Sequence, residues 1–253
     1  MKYLIYFYLI FVIFCTTLSS GVRAQEEEES DGPGCVNETS WTPCRRCNNN
    51  GTFRSQNRID ECYMKEALNT ALANSGFLPF AAIIVNHYTN TILCYGINQA
   101  LNDSLNHGEM VAMRNCTARF PSPTGNDRTN PGVPWGNVTL YTTAEPCIMC
   151  SGAIIMRGVY NIVFGTEQPT LWTVGLPSTR WRTCTIIQGA EMSIIGSGEN
   201  GGTFRAPYIK GGVLADEIDP YFFAAFGKTV PTSRFWKSNR DVLHGTCGCT
   251  HNH

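Results

Sequence analysis

The chain has 253 residues, of which 43% are hydrophobic and 15% charged, and its formal net charge is −1. So apolar and nearly neutral a composition excludes a charge-driven disordered chain and provides no basic footprint of the kind a nucleic-acid backbone demands. Twelve cysteines bring disulfides, metal ligation or both into any reading.

Met1 and Lys2 precede an apolar run from Tyr3 to Cys15, and Val22-Arg23-Ala24 follows a short polar stretch. The run suits a signal peptide and falls short of the ~20 apolar residues that cross a bilayer. Residues 1–24 are therefore expected to be a cleaved leader, giving a mature chain that starts near Gln25, has no stable membrane span and is secreted or held in an endomembrane lumen. Asn-x-Ser/Thr sequons at Asn37, Asn50, Asn102, Asn115 and Asn137 agree with glycosylation on that route. Residues 25–58 hold an acidic run, Pro/Gly pieces and three cysteines, which reads as an irregular segment pinned by disulfides. Cys44-Arg45-Arg46-Cys47 has half the spacing of a zinc knuckle, but an oxidising compartment favours disulfides there. Without the leader and the acidic run, basic and acidic residues nearly balance.

Regular pattern begins at Asp60, a plausible N-cap, with Met64, Leu68, Ala71 and Leu72 at helical spacing and Gly76 as the stop. Phe80 to Val85 and Thr91 to Ile97 are β-rich runs around the turn Asn86 to Asn90, and so form a hairpin. A second helix starts near His107. After a polar loop, Val138 to Thr143 reads as a strand leading to Pro146 and a third helix, Cys147 to Met156. Ile162 to Phe164 is the next strand. Met192 to Ile195 is read as a strand, and Pro220 to Phe226 as part of a late aromatic helix. This order implies an α/β fold with a mixed sheet and helices on its faces, the main domain spanning 59–230 and a polar tail 231–253. Trp135, Trp172, Trp181 and Trp236 are read as packing or pocket walls, and His87 as a loop residue. Cys247, Cys249, His251 and His253 in the tail are expected to be oxidised and irregular rather than a second metal site.

Two clusters carry chemistry: His107-Gly108-Glu109 and Pro146-Cys147-Ile148-Met149-Cys150, each at the start of a helix. Alone, a His-x-Glu is usually a surface accident and a Cys-x-x-Cys usually redox or structural; together and in this order they match the pattern of zinc deaminases. Cysteines three apart at a helix start share a face, and the positive end of the helix favours their thiolates. A histidine from a second helix makes a third ligand and leaves zinc an open position, which serves catalysis. Glu109 is the candidate proton carrier. His107 and Glu109, two apart, converge only if the helix start is irregular or the substrate lies between them. With Cys15 in the leader and two cysteines on metal, nine remain, so at least one is free, capped or paired between chains.

Over about Asp60 to Gly165 the chain resembles the cytidine deaminase-like superfamily, in the branch of guanine deaminases, fungal cytosine deaminases and tRNA adenosine deaminases. The resemblance rests on Pro79 to Val85, Asn106 to Met110 and Thr139 to Ala153. It implies a three-layer α/β/α sandwich, one catalytic zinc on His107, Cys147 and Cys150, a proton-moving Glu109, and a homodimer or higher homo-oligomer. It also implies that Asn98 binds the base or its sugar, its amide offering donor and acceptor together. Ala81 departs from the glycine frequent in the family. Glu145 looks like the guanine and tRNA-adenosine enzymes, whereas Ser151 to Met156 looks like cytosine deaminases, so the base is open. The expected function is hydrolytic deamination of a small nucleobase or nucleoside; the alternatives are an RNA adenosine deaminase and a non-catalytic secreted zinc module.

Overall fold

In a computed structural model that describes residues 56–74, 78–126, 131–159, 161–195 and 208–231, helix α1 (Gln56–Asn74) begins four residues before Asp60. The leader, residues 25–55, Gly76, Trp236 and the tail from 232 lie outside the described residues. Asp60 is no N-cap. Its buried carboxylate accepts hydrogen bonds from Gln56 Nε2 at 2.9 Å and Tyr141 OH at 3.0 Å, and it pairs with Lys210 Nζ. A side chain engaged by tertiary partners cannot also cap its own helix, so the helix extends to Gln56.

Strands β1 (Ala81–Asn86) and β2 (Thr91–Ile97) pair antiparallel as the expected hairpin. Asn86 Oδ1 accepts from the amides of Tyr88 and Thr89 at 3.0 and 3.2 Å, and Asn90 takes a left-handed φ of 52°, so the Asn-rich turn closes by its own side chains. Helix α2 (Gly108–Arg119) follows, then a short 3-10 turn at Trp135–Asn137 and strand β3 (Val138–Ala144). Helix α3 (Ile148–Arg157) ends on Gly158, whose φ of 72° suits a residue without Cβ. Strand β4 (Asn161–Thr166), helix α4 (Gln168–Val174), helix α5 (Thr183–Ile195), strand β5 (Tyr208–Lys210) and helix α6 (Ala215–Ala225) complete the described chain.

The five strands form one sheet in the order β2-β1-β3-β4-β5, with β3, β4 and β5 parallel and β1 antiparallel to both its neighbours. Alternating residues feed two cores. On one face Ala82, Ile84, Leu140, Ile162 and Phe164 pack with Ala112, Met113, Ile154 and Ile187 of α2, α3 and α5. On the other, Ile83, Val85, Tyr141 and Val163 pack with Tyr63, Met64 and Leu68 of α1 and Ile218 and Phe222 of α6. Each fully buried Leu, Ile or Phe contributes roughly 1.5–3 kcal/mol, so the sheet is held from both sides. This is the three-layer α/β/α sandwich with a mixed sheet.

Met192 to Ile195, read as a strand, instead ends helix α5. Its β-branched residues favour strands by propensity, but Ile187 of the same helix is fully buried and the helix packs against α3, and packing decides the conformation. Trp135 is buried beneath the Arg157 guanidinium, 5.6 Å from the ring, and Trp172 donates to Ser178 Oγ at 3.0 Å, whereas Trp181 is exposed. Among the described residues no helix is long and apolar enough to cross a membrane.

Candidate active site

Helices α2 and α3 lie on the same face of the sheet and aim their N-termini at one point near the C-terminal end of β3. His107 is the N-cap of α2 (φ −67°, ψ 156°) and Cys147 that of α3 (φ −72°, ψ 175°), both with extended backbone and neither capping with its side chain. This irregular start answers the spacing question. His107 sits just outside the helix and Glu109 inside its first turn, so both face Cys150 although they stand two apart in sequence.

The His107 Nδ1 atom lies 3.5 Å from Cys147 Sγ and 3.7 Å from Cys150 Sγ, and all three atoms lie within 4.8 Å of one another. A tetrahedral zinc, with Zn–N about 2.0 Å and Zn–S about 2.3 Å, spaces its ligand atoms about 3.5–3.8 Å apart. The cluster therefore fits Zn2+. Cysteine chemistry agrees: Cys147 and Cys150 are the free thiols among the described residues, whereas Cys94 and Cys116 are bonded to each other and Cys62 and Cys184 are also disulfide-bonded.

Glu109 is 8% exposed; its Oε2 accepts from the Cys150 thiol at 3.5 Å and its Oε1 from Thr142 Oγ1 at 3.4 Å. Burial, with the Cys147 charge in support, pushes its carboxyl above the ordinary carboxylate range. A hydrogen bond from Cys150 holds the Cys147 thiol down to about 4 against the opposing effect of burial, and His107 adds to the lowering. The same bond, together with burial, pushes Cys150 up, and a hydrogen bond to Cys147 raises His107. One carboxyl, two thiols and one imidazole thus crowd around one small volume.

Asn98 follows β2 directly, half-buried, its backbone N–H donating to Phe80 O at 3.0 Å. The next amide, Gln99, donates to Asn106 O at 2.8 Å and closes the loop that delivers His107. The approach of β2 to α2 depends on Gly96, where a Cβ would lie 2.1 Å from Gly108 O and 2.2 Å from Ala112 N. The disulfide Cys94–Cys116 braces the same strand against the same helix.

Glu145, a substrate clue in the sequence, has a wholly buried carboxylate taken up by donors of the chain itself, Arg182 foremost. It cannot touch a substrate. The sequence reading missed Arg182 and Thr142. The period-two alternation of β3 puts Thr142 on the face of Leu140 and so toward α2, a legible signal; Arg182, 37 residues from its partner, has none.

Fold and cluster together define a zinc-binding deaminase domain. Residues 57–166 match the family described as the cytidine and deoxycytidylate deaminase zinc-binding region, and the chain belongs to that family. A tRNA-specific adenosine deaminase of Buchnera aphidicola subsp. Schizaphis graminum is 34% identical over 116 residues, covering 44% of this chain and 69% of the relative. A tRNA-specific adenosine deaminase of Bacillus subtilis is 32% identical over 112 residues, and a probable cytosine deaminase of Schizosaccharomyces pombe 32% over 114; both matches cover 44% of this chain. The chain spans 63% of the length of each of these two relatives. A solved guanine deaminase from Nitrosomonas europaea shares the fold, with a TM-score of 0.51 and 23% identity over 66% of this chain and 84% of that one.

Proposed function

We propose that the chain is a zinc-dependent hydrolase that deaminates a nucleobase or nucleoside, with one catalytic zinc per chain held by His107, Cys147 and Cys150. The observation that carries this reading is the convergence of one imidazole and two free thiols with a buried carboxylate, Glu109, 3.5 Å from one of the sulfurs. A zinc held by His107, Cys147 and Cys150 would supply a Lewis acid that brings the acidity of a water toward neutral pH. Glu109 takes one proton from the attacking water and delivers it to the ring nitrogen, then carries the proton of the newly attached hydroxyl to the amine, so that a C–O bond replaces the C–N bond and ammonia leaves. Asn98 orients the base or its sugar through donor and acceptor atoms of one amide. Thr142, within 3.4 Å of Glu109, holds the carboxylate toward the cluster.

The proposed location is the secretory route or an endomembrane lumen, supported by oxidised Cys62, Cys94, Cys116 and Cys184 in a chain whose other described cysteines form the metal cluster. A homodimer or higher homo-oligomer is proposed from the resemblance alone. A second reading, deamination of adenosine in RNA, is favoured by tRNA-specific adenosine deaminases among the relatives. The net charge of −1 argues for the small substrate, because an RNA backbone demands a basic surface. A non-catalytic zinc module finds no support, since a structural site has no use for a carboxylate beside an incomplete ligand set.

The test is ammonia release by zinc-replete protein from guanine, cytosine, adenine and their nucleosides, with Glu109→Gln as blank. Release from one of them, absent in the variant, is the expected result. Release from tRNA alone would select the second reading, and no release from any of these would overturn the proposal.

A further inference from the structure

The buried carboxylate of Glu145 lies in the residue two before Cys147, and the α4–α5 region surrounds it. Oε1 accepts from Arg182 Nε and from the Thr183 amide, both at 2.9 Å; Oε2 accepts from the same Nε at 2.8 Å and from the Gln168 amide at 2.9 Å. Gln168 is the first residue of α4 and Thr183 the first of α5, so one anion sits at the positive ends of two helices. Arg182 Nη2 also reaches Glu167 Oε2 at 2.9 Å, so one guanidinium joins two buried carboxylates.

The backbone of the same turn is held by the same region. Glu145 O accepts from Gln168 Nε2 at 3.0 Å, and Pro146 O accepts from Thr183 Oγ1 at 2.9 Å and Ser151 Oγ at 3.4 Å. Both carbonyls that precede Cys147 are thus fixed from outside, while the Cys147 side chain makes no cap of its own and stays free for a ligand role.

We infer that Arg182 is a positioning residue for the metal-ligating turn: through Glu145 it locks Glu145-Pro146 and thereby sets where the Cys147 sulfur stands. The inference rests on the reading that Cys147 is a zinc ligand. Without the guanidinium, the Glu145 carboxylate keeps only two amide donors in a buried place, and the turn relaxes to rehydrate it. Partners outside the ligand set change metal affinity about 10–100-fold when removed. Lysine replaces the fork with a point charge and recovers only part of the effect.

The experiment follows zinc transfer from the full-length protein to a chromophoric chelator for wild type, Arg182→Ala, Arg182→Lys and Lys210→Ala, each also melted thermally. Lys210→Ala is the stability control, because it breaks the remote pair with Asp60 that ties β5 to α1. Expected are release about 10–100-fold faster in Arg182→Ala, an intermediate rate in Arg182→Lys, and a lower melting point with the wild-type rate in Lys210→Ala. A folded Arg182→Ala protein with the wild-type rate overturns the inference, as does Lys210→Ala speeding release equally. If Arg182→Ala does not fold, Arg182→Lys against Lys210→Ala decides on the same criterion. Wild-type protein that holds no zinc would overturn the ligand assignment itself, and this inference with it.

Discussion

Gly96→Ala perturbs the site without touching any group that does chemistry. The added Cβ would stand 2.1 Å from Gly108 O, 2.2 Å from Ala112 N and 2.7 Å from Ala112 Cα, where real Cβ contacts stay beyond 3.0 Å. All three obstacles are α2 backbone, so no rotamer change relieves them, and the helix must retreat from β2 by about 0.9 Å. The Cys94–Cys116 disulfide resists that retreat and keeps the protein folded. Overpacking of this kind costs about 1–3 kcal/mol, or roughly 3–10 °C of melting temperature in a domain this size. A displacement near 1 Å at the start of α2 carries His107 and Glu109 with it and costs on the order of 100-fold in kcat. Steady-state ammonia release and a thermal melt on the same preparation measure both. Wild-type turnover and stability would show that the glycine does not set the approach of α2.

Glu109→Gln should retain zinc and lose about 10²–10⁴-fold in kcat, measured by metal analysis beside turnover; zinc loss with partial activity would remove Glu109 from proton transfer. Cys147→Ala should lose metal and activity together, and full zinc occupancy in that variant would refute the ligand set. Replacing Cys94 and Cys116 together by alanine opens a link across 22 residues and should cost about 3 kcal/mol by chain-entropy arguments, read from urea denaturation. Burial pushes the Tyr63 phenol up to about 12 and raises Tyr95 and Tyr141 as well, Asp60 adding to the effect at Tyr141. Their folded pKa values exceed the unfolded value of about 10, so their contribution is present below that pH and lost as pH rises above it. Denaturation midpoints that stayed flat through that range would contradict the burial of these phenols.

How much the sequence disclosed depended on how local each signal was. The hairpin was readable because Asn86 and Asn90 carry the turn within five residues. The two candidate ligand motifs were readable because each is contiguous and stands at a helix start. Met192 to Ile195 misled because their β-branched residues speak for a strand while the packing of α5 against α3 keeps the segment helical. Asp60 misled because its carboxylate serves Lys210 and Tyr141, both far along the chain. Arg182 was invisible for the same reason: nothing near it in sequence foretells the carboxylates of Glu145 and Glu167.

Zinc K-edge X-ray absorption on the purified protein reads the ligand set of His107, Cys147 and Cys150 without relying on turnover. The expected spectrum is that of one zinc with two sulfurs at about 2.3 Å and one imidazole nitrogen at about 2.0 Å, completed by a light oxygen ligand. A shell of four sulfurs, or one with no sulfur at all, would contradict it.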